Sequence, residues 1–161
     1  MIEKIISQSS IDAVEKIISD NERFVILSHK NPDGDALGSS LALYHYLKGR
    51  RKDVSVVLPN IFPDFLAWMP AADGVLFYDK DCDKAEDVIA AADAFFCLDF
   101  NTLGRIGDVG AAVAASDAPK VLVDHHLFPS DDFVVKISFP EACSTSELVY
   151  RLVTMLSGEG A

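Results

Sequence analysis

A doubly wound α/β domain, built on a mostly parallel sheet of five strands with helices on both faces, is the fold that the sequence predicts. Three observations carry it. Short apolar, β-branched runs alternate with stretches of helical period along the whole chain. Some of those runs, Ala94-Phe95-Phe96-Cys97-Leu98 above all, are continuously apolar, as strands covered on both faces must be. Half of the 161 residues are apolar, enough for a single domain over 1–161 with its own core, and no internal repeat or linker divides it.

In chain order, Ser9 and Ser10 open the first helix, with Asp12 as a capping-box-like acid. Ile11, Val14, Ile17 and Ile18 form its apolar face, and Asn21 closes it. A strand over 24–28 follows, then the turn His29-Lys30-Asn31-Pro32-Asp33-Gly34-Asp35. A helix over 36–48 comes next, with Leu37, Leu41, Tyr44 and Leu47 at helical spacing and Gly49 as its C-cap. Pro32 disfavours the α region at Asn31, so this helix cannot start early. Val54–Leu58 reads as the second strand. The loop 59–70 holds a short helical piece, 62–68, whose aromatic residues are expected to pack onto the body rather than to stack bases.

Gly74–Phe77 reads as a third, short strand. Asp79-Lys80-Asp81-Cys82-Asp83 has the look of a calcium loop, but Lys84 stands where that geometry needs Gly and Ala90 where it needs Glu, which leaves a solvated turn and helix start. The fourth strand, 94–98, ends in Asp99, and an Ala-rich helix is expected over 104–115. The fifth strand, 120–123, ends in Asp124-His125-His126, and 133–136 reads as a short edge strand. Ser144 or Thr145 caps a last helix whose face is Leu148, Val149, Leu152, Met155 and Leu156.

The 14 basic and 25 acidic residues give a formal charge of −11, which disfavours tight binding of long duplex DNA or other long nucleic acid. A small phosphate substrate stays compatible if cations occupy the site. Cys82, Cys97 and Cys143 form no CxxC pair and suit a reducing compartment. With no apolar leader and no run of membrane-span length, the expectation is a cytoplasmic protein without a membrane partner.

Three strands far apart in sequence thus end in metal-type ligands: His29/Asp33/Asp35, Asp99, and Asp124/His125/His126. For the first stretch alone two readings stand, Asp35 as a helix cap with Asp33 as a turn residue, or both as ligands. Parallel strands bring their carboxyl ends to one edge, where ligands bind. So many carboxylates in one cleft repel one another unless cations neutralise them, and paired histidines at a strand end serve no capping purpose. Imidazole and carboxylate without thiolate suit Mn²⁺ better than structural zinc, with Mg²⁺ or Co²⁺ also compatible. Two ions ~3.5–4 Å apart suit metal-assisted phosphoester hydrolysis.

At His29–Ala36, at Leu98-Asp99 with Arg105-Ile106-Gly107, and at Val123-Asp124-His125-His126, the sequence resembles the first three motifs of the DHH phosphoesterases. The likeness runs from about Ile5 to Leu156. It is strongest to the bacterial branch that hydrolyses oligoribonucleotides and 3′-phosphoadenosine 5′-phosphate, whose pattern Phe62–Pro70 and Ser144–Tyr150 also follow. The resemblance implies that His29 and Asp33 hold one Mn²⁺, that Asp35 and His125 hold the other, and that Asp99 bridges them. It implies that His126 contacts the scissile phosphate or orients a ligand, that Asn31 belongs to the substrate side, and that Asp124 supports the histidines. Arg105 either reaches a phosphate or forms a surface ion pair. His45 matches no motif and reads as a surface or half-buried residue. Dimerisation of two such domains is a further implication of the family.

Members of that family carry a fourth motif with another metal-binding Asp after the last helix, and then a substrate-holding second domain. This sequence ends at Ser157-Gly158-Glu159-Gly160-Ala161, so the expectation is an N-terminal catalytic domain whose metal site is one ligand short and whose activity alone is weak or absent. A non-catalytic metal- or nucleotide-binding module and a cyclic-dinucleotide phosphodiesterase are the alternatives. A phosphoacceptor receiver is disfavoured, because its last strand wants a lysine where Asp124-His125-His126 stands.

Overall fold

In a computed structural model of the protein, residues 5–158 are described. The expectations that rest on 1–4 and 159–161, the missing leader and the final stop, lie outside them. Six strands form one sheet: β1 (Arg23–Leu27), β2 (Asp53–Leu58), β3 (Leu76–Phe77), β4 (Ala94–Leu98), β5 (Lys120–Asp124) and β6 (Val135–Ser138). Their spatial order is β3-β2-β1-β4-β5-β6, and every neighbouring pair is parallel. The expected sheet had five strands and an edge piece; that piece is a true sixth strand, shifted to 135–138. The shift follows from packing. Phe133 is drawn into the core while Val134 stays exposed and donates its N–H to the Lys120 carbonyl at 2.9 Å.

Five helices clothe the sheet: α1 (Gln8–Asp20), α2 (Gly34–Gly49), α3 (Cys82–Ala91), α4 (Val109–Ala114) and α5 (Thr145–Leu156). The period-2 alternation of the strands sorts their side chains to two faces. Ile26, Phe96, Leu98 and Val123 join α1, α2 and α5 in the larger core. Val25, Leu27, Phe95, Cys97 and Leu122 join α3 and α4 in the smaller one. Burial in that second core pushes the Cys97 thiol well above its ordinary pKa.

Several ends differ from expectation for local reasons. Ser7, rather than Ser9 or Ser10, caps α1, its Oγ accepting from Ser10 N at 3.2 Å. Gly49 is the last residue of α2, and Arg51 takes the left-handed conformation (φ 61°) that a C-cap glycine would supply. The third strand keeps only 76–77, because Ala72–Gly74 winds into a 3₁₀ turn, and 64–66 is likewise a single 3₁₀ turn. The helix expected over 104–115 is split into a 3₁₀ turn, Leu103–Ile106, and α4; Gly107 at φ 63° breaks it. No described helix is long and apolar enough to cross a membrane.

The split seats the 3₁₀ turn directly on α4. A Cβ at position 110 would collide with the carbonyl oxygen of Leu103 and come within 3.2 Å of its carbonyl carbon. Gly110→Ala is therefore expected to cost about 1–3 kcal/mol of stability, the usual range for overpacking, read as a lower urea midpoint. An unchanged midpoint would mean that the turn yields freely.

Candidate metal centre

In a parallel sheet of this order the crossover direction reverses between β1 and β4, which opens a crevice at their carboxyl ends. His29 lies two residues beyond β1, Asp99 directly follows β4, and Asp124 ends β5. The topology thus gathers the three sequence motifs on one edge. Asp99 stands at their centre, buried to 2 % exposure and held at φ 64°, a left-handed conformation that Asp tolerates better than most residues. Its N–H donates to the Val123 carbonyl at 3.1 Å, which fixes the turn.

Each oxygen of Asp99 faces a different cluster. Oδ2 lies 3.3 Å from His29 Nε2, and Oδ1 lies 3.5 Å from His125 Nε2 and 3.9 Å from His126 Nδ1. Ligand-type atoms of His29, Asp33 and Asp99 lie within 4.8 Å of one another, and so do those of Asp99, His125 and His126. Both outer histidines are oriented by backbone: His29 Nδ1 is 2.8 Å from the Lys30 carbonyl and His125 Nδ1 is 3.3 Å from the Ala142 carbonyl. A ring that donates from Nδ1 to a carbonyl keeps its lone pair on Nε2, the atom facing the carboxylates. The bond to Asp99 raises the pKa of His29 above 6.5; burial opposes that rise, and the Lys30 carbonyl and the charges of Asp99 and Asp33 add to it.

His126 is built differently. Its Nδ1 sits 2.7 Å from Asp124 Oδ1, far closer than to Asp99, so this nitrogen is engaged as a donor and Nε2 is left for other work. Asp124 is fully buried, and its Oδ2 has no hydrogen-bond partner among the described residues.

The two aspartates of the first motif divide the roles left open between them. Asp33 is the cap of α2, accepting from Ala36 N at 2.9 Å, while the same Oδ1 lies 3.9 Å from His29 Nε2. Asp35 caps nothing in its own helix. Its carboxylate is caught by the N-terminus of α5: Thr145 N donates to Oδ2 at 2.9 Å, and Ser146 N and Oγ donate to Oδ1 at 2.8 and 2.6 Å. Its Oδ2 lies 3.7 Å from His125 Nε2. A helix N-terminus offers unpaired N–H groups and positive potential, which suits a carboxylate there. Gly38 lies beside the same contact; a Cβ there would meet Ser146 Oγ at 3.5 Å, an ordinary van der Waals distance.

Ser144 caps α5, accepting from Glu147 N at 3.1 Å, which frees Thr145 to donate from Oγ1 to Asp99 Oδ1 at 3.0 Å. Thr145 and Ser146 were missed as site residues by the motif reading; the signal lay in their place within Ser144–Tyr150, a stretch already singled out. Asn31 (φ 54°) is tied to Asn60, its N–H donating to Asn60 Oδ1 at 2.7 Å and its Oδ1 accepting from Asn60 Nδ2 at 2.9 Å. Arg105 lies on the 3₁₀ turn after β4. Its carbonyl accepts from Lys30 N at 3.2 Å, and its guanidinium pairs with no carboxylate among the described residues. His45 is exposed, 3.2 Å from the Pro70 carbonyl and apart from the centre.

Thr145→Val keeps the side-chain shape and removes the hydroxyl from buried Asp99. We expect a loss of about 1–3 kcal/mol in thermal unfolding, with Thr145→Ser losing less. Equal melting of Thr145→Val and wild type would show that the bond contributes nothing.

Residues 23–160 match the DHH family, N-terminal domain. The crystal structure of an exopolyphosphatase-related protein from Bacteroides fragilis is 48 % identical to the chain, at a TM-score of 0.95. That match covers 96 % of this chain and 46 % of the other, so the chain spans about half of that protein's length. Two Sir2-type structures, one bearing on sirtuin substrate affinity and one on the mechanism and regulation of Sir2 enzymes, align at TM-scores of 0.61 and 0.59 with 12 % identity each. They cover 93 % and 94 % of this chain and 99 % and 98 % of their own, and share the fold alone. The match across 23–160 is what assigns the chain: it belongs to the DHH family.

Proposed function

We propose that this domain is the metal-binding half of a two-metal phosphoesterase acting on short oligoribonucleotides or 3′-phosphoadenosine 5′-phosphate. The observation that carries it is the position of Asp99, whose two oxygens face His29 on one side and His125 on the other. A carboxylate so placed can serve two ions at once. In this reading His29 and Asp33 hold one ion, Asp35 and His125 the other, and Asp99 both. The donor set fits divalent cations. Asp33, Asp35, Asp99 and Asp124 meet histidines but no lysine or arginine among the described residues, and one buried oxygen of Asp124 is orphaned. Such a concentration of negative charge calls for a cation.

Two divalent ions supply Lewis-acid polarisation of a phosphoryl oxygen and a water activated at neutral pH. The chain's own groups then set the geometry. His126, whose Nδ1–H is held by Asp124, keeps a lone pair on Nε2 that can accept a proton, and Arg105 can reach an outlying phosphate. We favour Mn²⁺ for the mixed imidazole and carboxylate set. A polyphosphate substrate is the second reading, favoured by the description of the Bacteroides fragilis relative.

Calorimetric titration with Mn²⁺ tests the metal assignment. Asp99→Asn is expected to weaken every binding event by at least ~10-fold, whereas Asp33→Asn weakens one class only. A class of sites untouched by Asp99→Asn would sink the shared-carboxylate reading. In the same metal-loaded samples, 3′-phosphoadenosine 5′-phosphate should bind, and Asp99→Asn should weaken that binding; equal affinities would count against the phosphoesterase assignment.

The raised pKa of His29 sets the pH behaviour. Without metal, the protonated ring stabilises the fold below about pH 6.5, and this is lost as pH rises through the raised value. Metal binding needs the neutral ring, so Mn²⁺ affinity should fall as pH drops from 8 to 6, by up to ~10-fold per unit for one displaced proton. A dissociation constant independent of pH would exclude His29 as a ligand.

A further inference from the structure

We propose that Ser146 sets the ion selectivity of the Asp35 position. By saturating one carboxylate oxygen it leaves Asp35 to meet an ion through the other oxygen alone, which disfavours calcium. This rests on the two-metal reading of the centre and goes beyond it, to which divalent ion one of the two positions admits.

An ionised carboxylate offers about four lone pairs, two on each oxygen. Those of Asp35 are largely used by α5. Oδ1 accepts from Ser146 N at 2.8 Å and from Ser146 Oγ at 2.6 Å, which fills both of its lone pairs. The hydroxyl also lies 3.4 Å from the Asp35 carbonyl oxygen, but its one proton goes to the nearer, charged acceptor. Oδ2 accepts once, from Thr145 N at 2.9 Å. One lone pair therefore remains, on the oxygen that has His125 Nε2 3.7 Å away.

The other two carboxylates are held differently. Asp33 accepts from Ala36 N at Oδ1, and its Oδ2 accepts no hydrogen bond among the described residues. Its side chain is 65 % exposed, against 20 % for Asp35, so it is free to turn both oxygens on an ion. Asp99 accepts from Thr145 Oγ1 at Oδ1 and keeps a lone pair on each oxygen, with His29 near one and His125 near the other. The centre thus has a permissive position at Asp33 and a stringent one at Asp35. Two of the three bonds on Asp35 come from backbone N–H groups and survive any substitution. The third, from the Ser146 hydroxyl, is the one that a side chain supplies.

Ion size turns that difference into selectivity. Calcium gathers about six to eight oxygen ligands and often takes both oxygens of a carboxylate. Smaller divalent ions hold fewer ligands in a tighter octahedral set. A carboxylate restricted to one oxygen therefore starves calcium more than manganese.

The test titrates Mn²⁺ and, separately, Ca²⁺ into the 161-residue chain and reads the ratio of the two affinities for each class of sites by calorimetry. Ser146→Ala is expected to lower the preference for Mn²⁺ over Ca²⁺ at one class by ~10-fold, the order found when a hydrogen-bond partner of a metal ligand is removed. The other class, which Asp33→Asn weakens, keeps the wild-type ratio. Ser146→Thr retains the hydroxyl and with it the preference, and Ser146→Cys, a weaker donor, falls between. A mere loosening of α5 would weaken both ions alike and leave the ratio unmoved, and melting temperatures of the ion-free variants report it separately. An unchanged ratio in Ser146→Ala and Ser146→Cys, or an equal fall in Ser146→Thr, overturns the role of Ser146 and leaves the two-metal reading in place. Wild-type protein that binds no Mn²⁺ overturns that reading, and this inference with it.

Discussion

The structure turns on the repulsion among carboxylates that the fold forces together. A parallel sheet delivers the ends of β1, β4 and β5 to one edge, and each end here carries an acid. The protein answers with hydrogen bonds. Asp33 is occupied by an amide of α2, Asp35 by two amides and a hydroxyl of α5, Asp99 by Thr145 and the histidines, and Asp124 by His126. Two helix N-termini meet at the centre, and their positive ends lower the cost of gathering these groups.

That arrangement explains why the two cores are so unequal in purpose. The larger core fixes α2 and α5 against the sheet, and these helices carry Asp33, Asp35, Thr145 and Ser146. The smaller core fixes α4 and the 3₁₀ turn that carries Arg105. Gly110 admits the Leu103 carbonyl, an approach that any side chain there would block. Ser39 and Ser40 inside α2 return their hydroxyls to the carbonyls of Asp35 and Ala36 at 2.7 Å each, so the buried helix keeps no idle polar side chain there.

Much of this was legible in the sequence, because strand ends are marked by abrupt changes from apolar runs to Asp and His. Those changes located His29, Asp99 and His125 without any contact being known. What stayed hidden depends on geometry between elements. The choice between Asp33 and Asp35 as cap could not be made from residue type, since both suit the task. It is decided by α5, which lies 110 residues away in sequence and whose first turn donates to Asp35. The split at Gly107 was hidden because an alanine-rich run reads as helix whatever the φ of one glycine within it. The outward stance of Phe65 and Trp68 was hidden too. Aromatic content predicts burial on average, and a single 3₁₀ turn can satisfy it with Phe62 and Leu66 alone.

The grip of α5 on Asp35 has a mechanical consequence. Three donors of the helix's first turn end on one carboxylate, and a fourth, Thr145 Oγ1, ends on Asp99. Lifting α5 from the sheet would therefore take three donors from Asp35 and the Thr145 hydroxyl from Asp99 in the same motion, leaving Asp99 to its histidines. Helix docking and the shape of the centre form one cooperative unit, and coupling of that kind works in both directions. The helix is a rigid rod of 12 residues, about 18 Å long, with its far end at Leu156. Whatever seats that far end on the sheet therefore also helps to keep the first turn on its carboxylates.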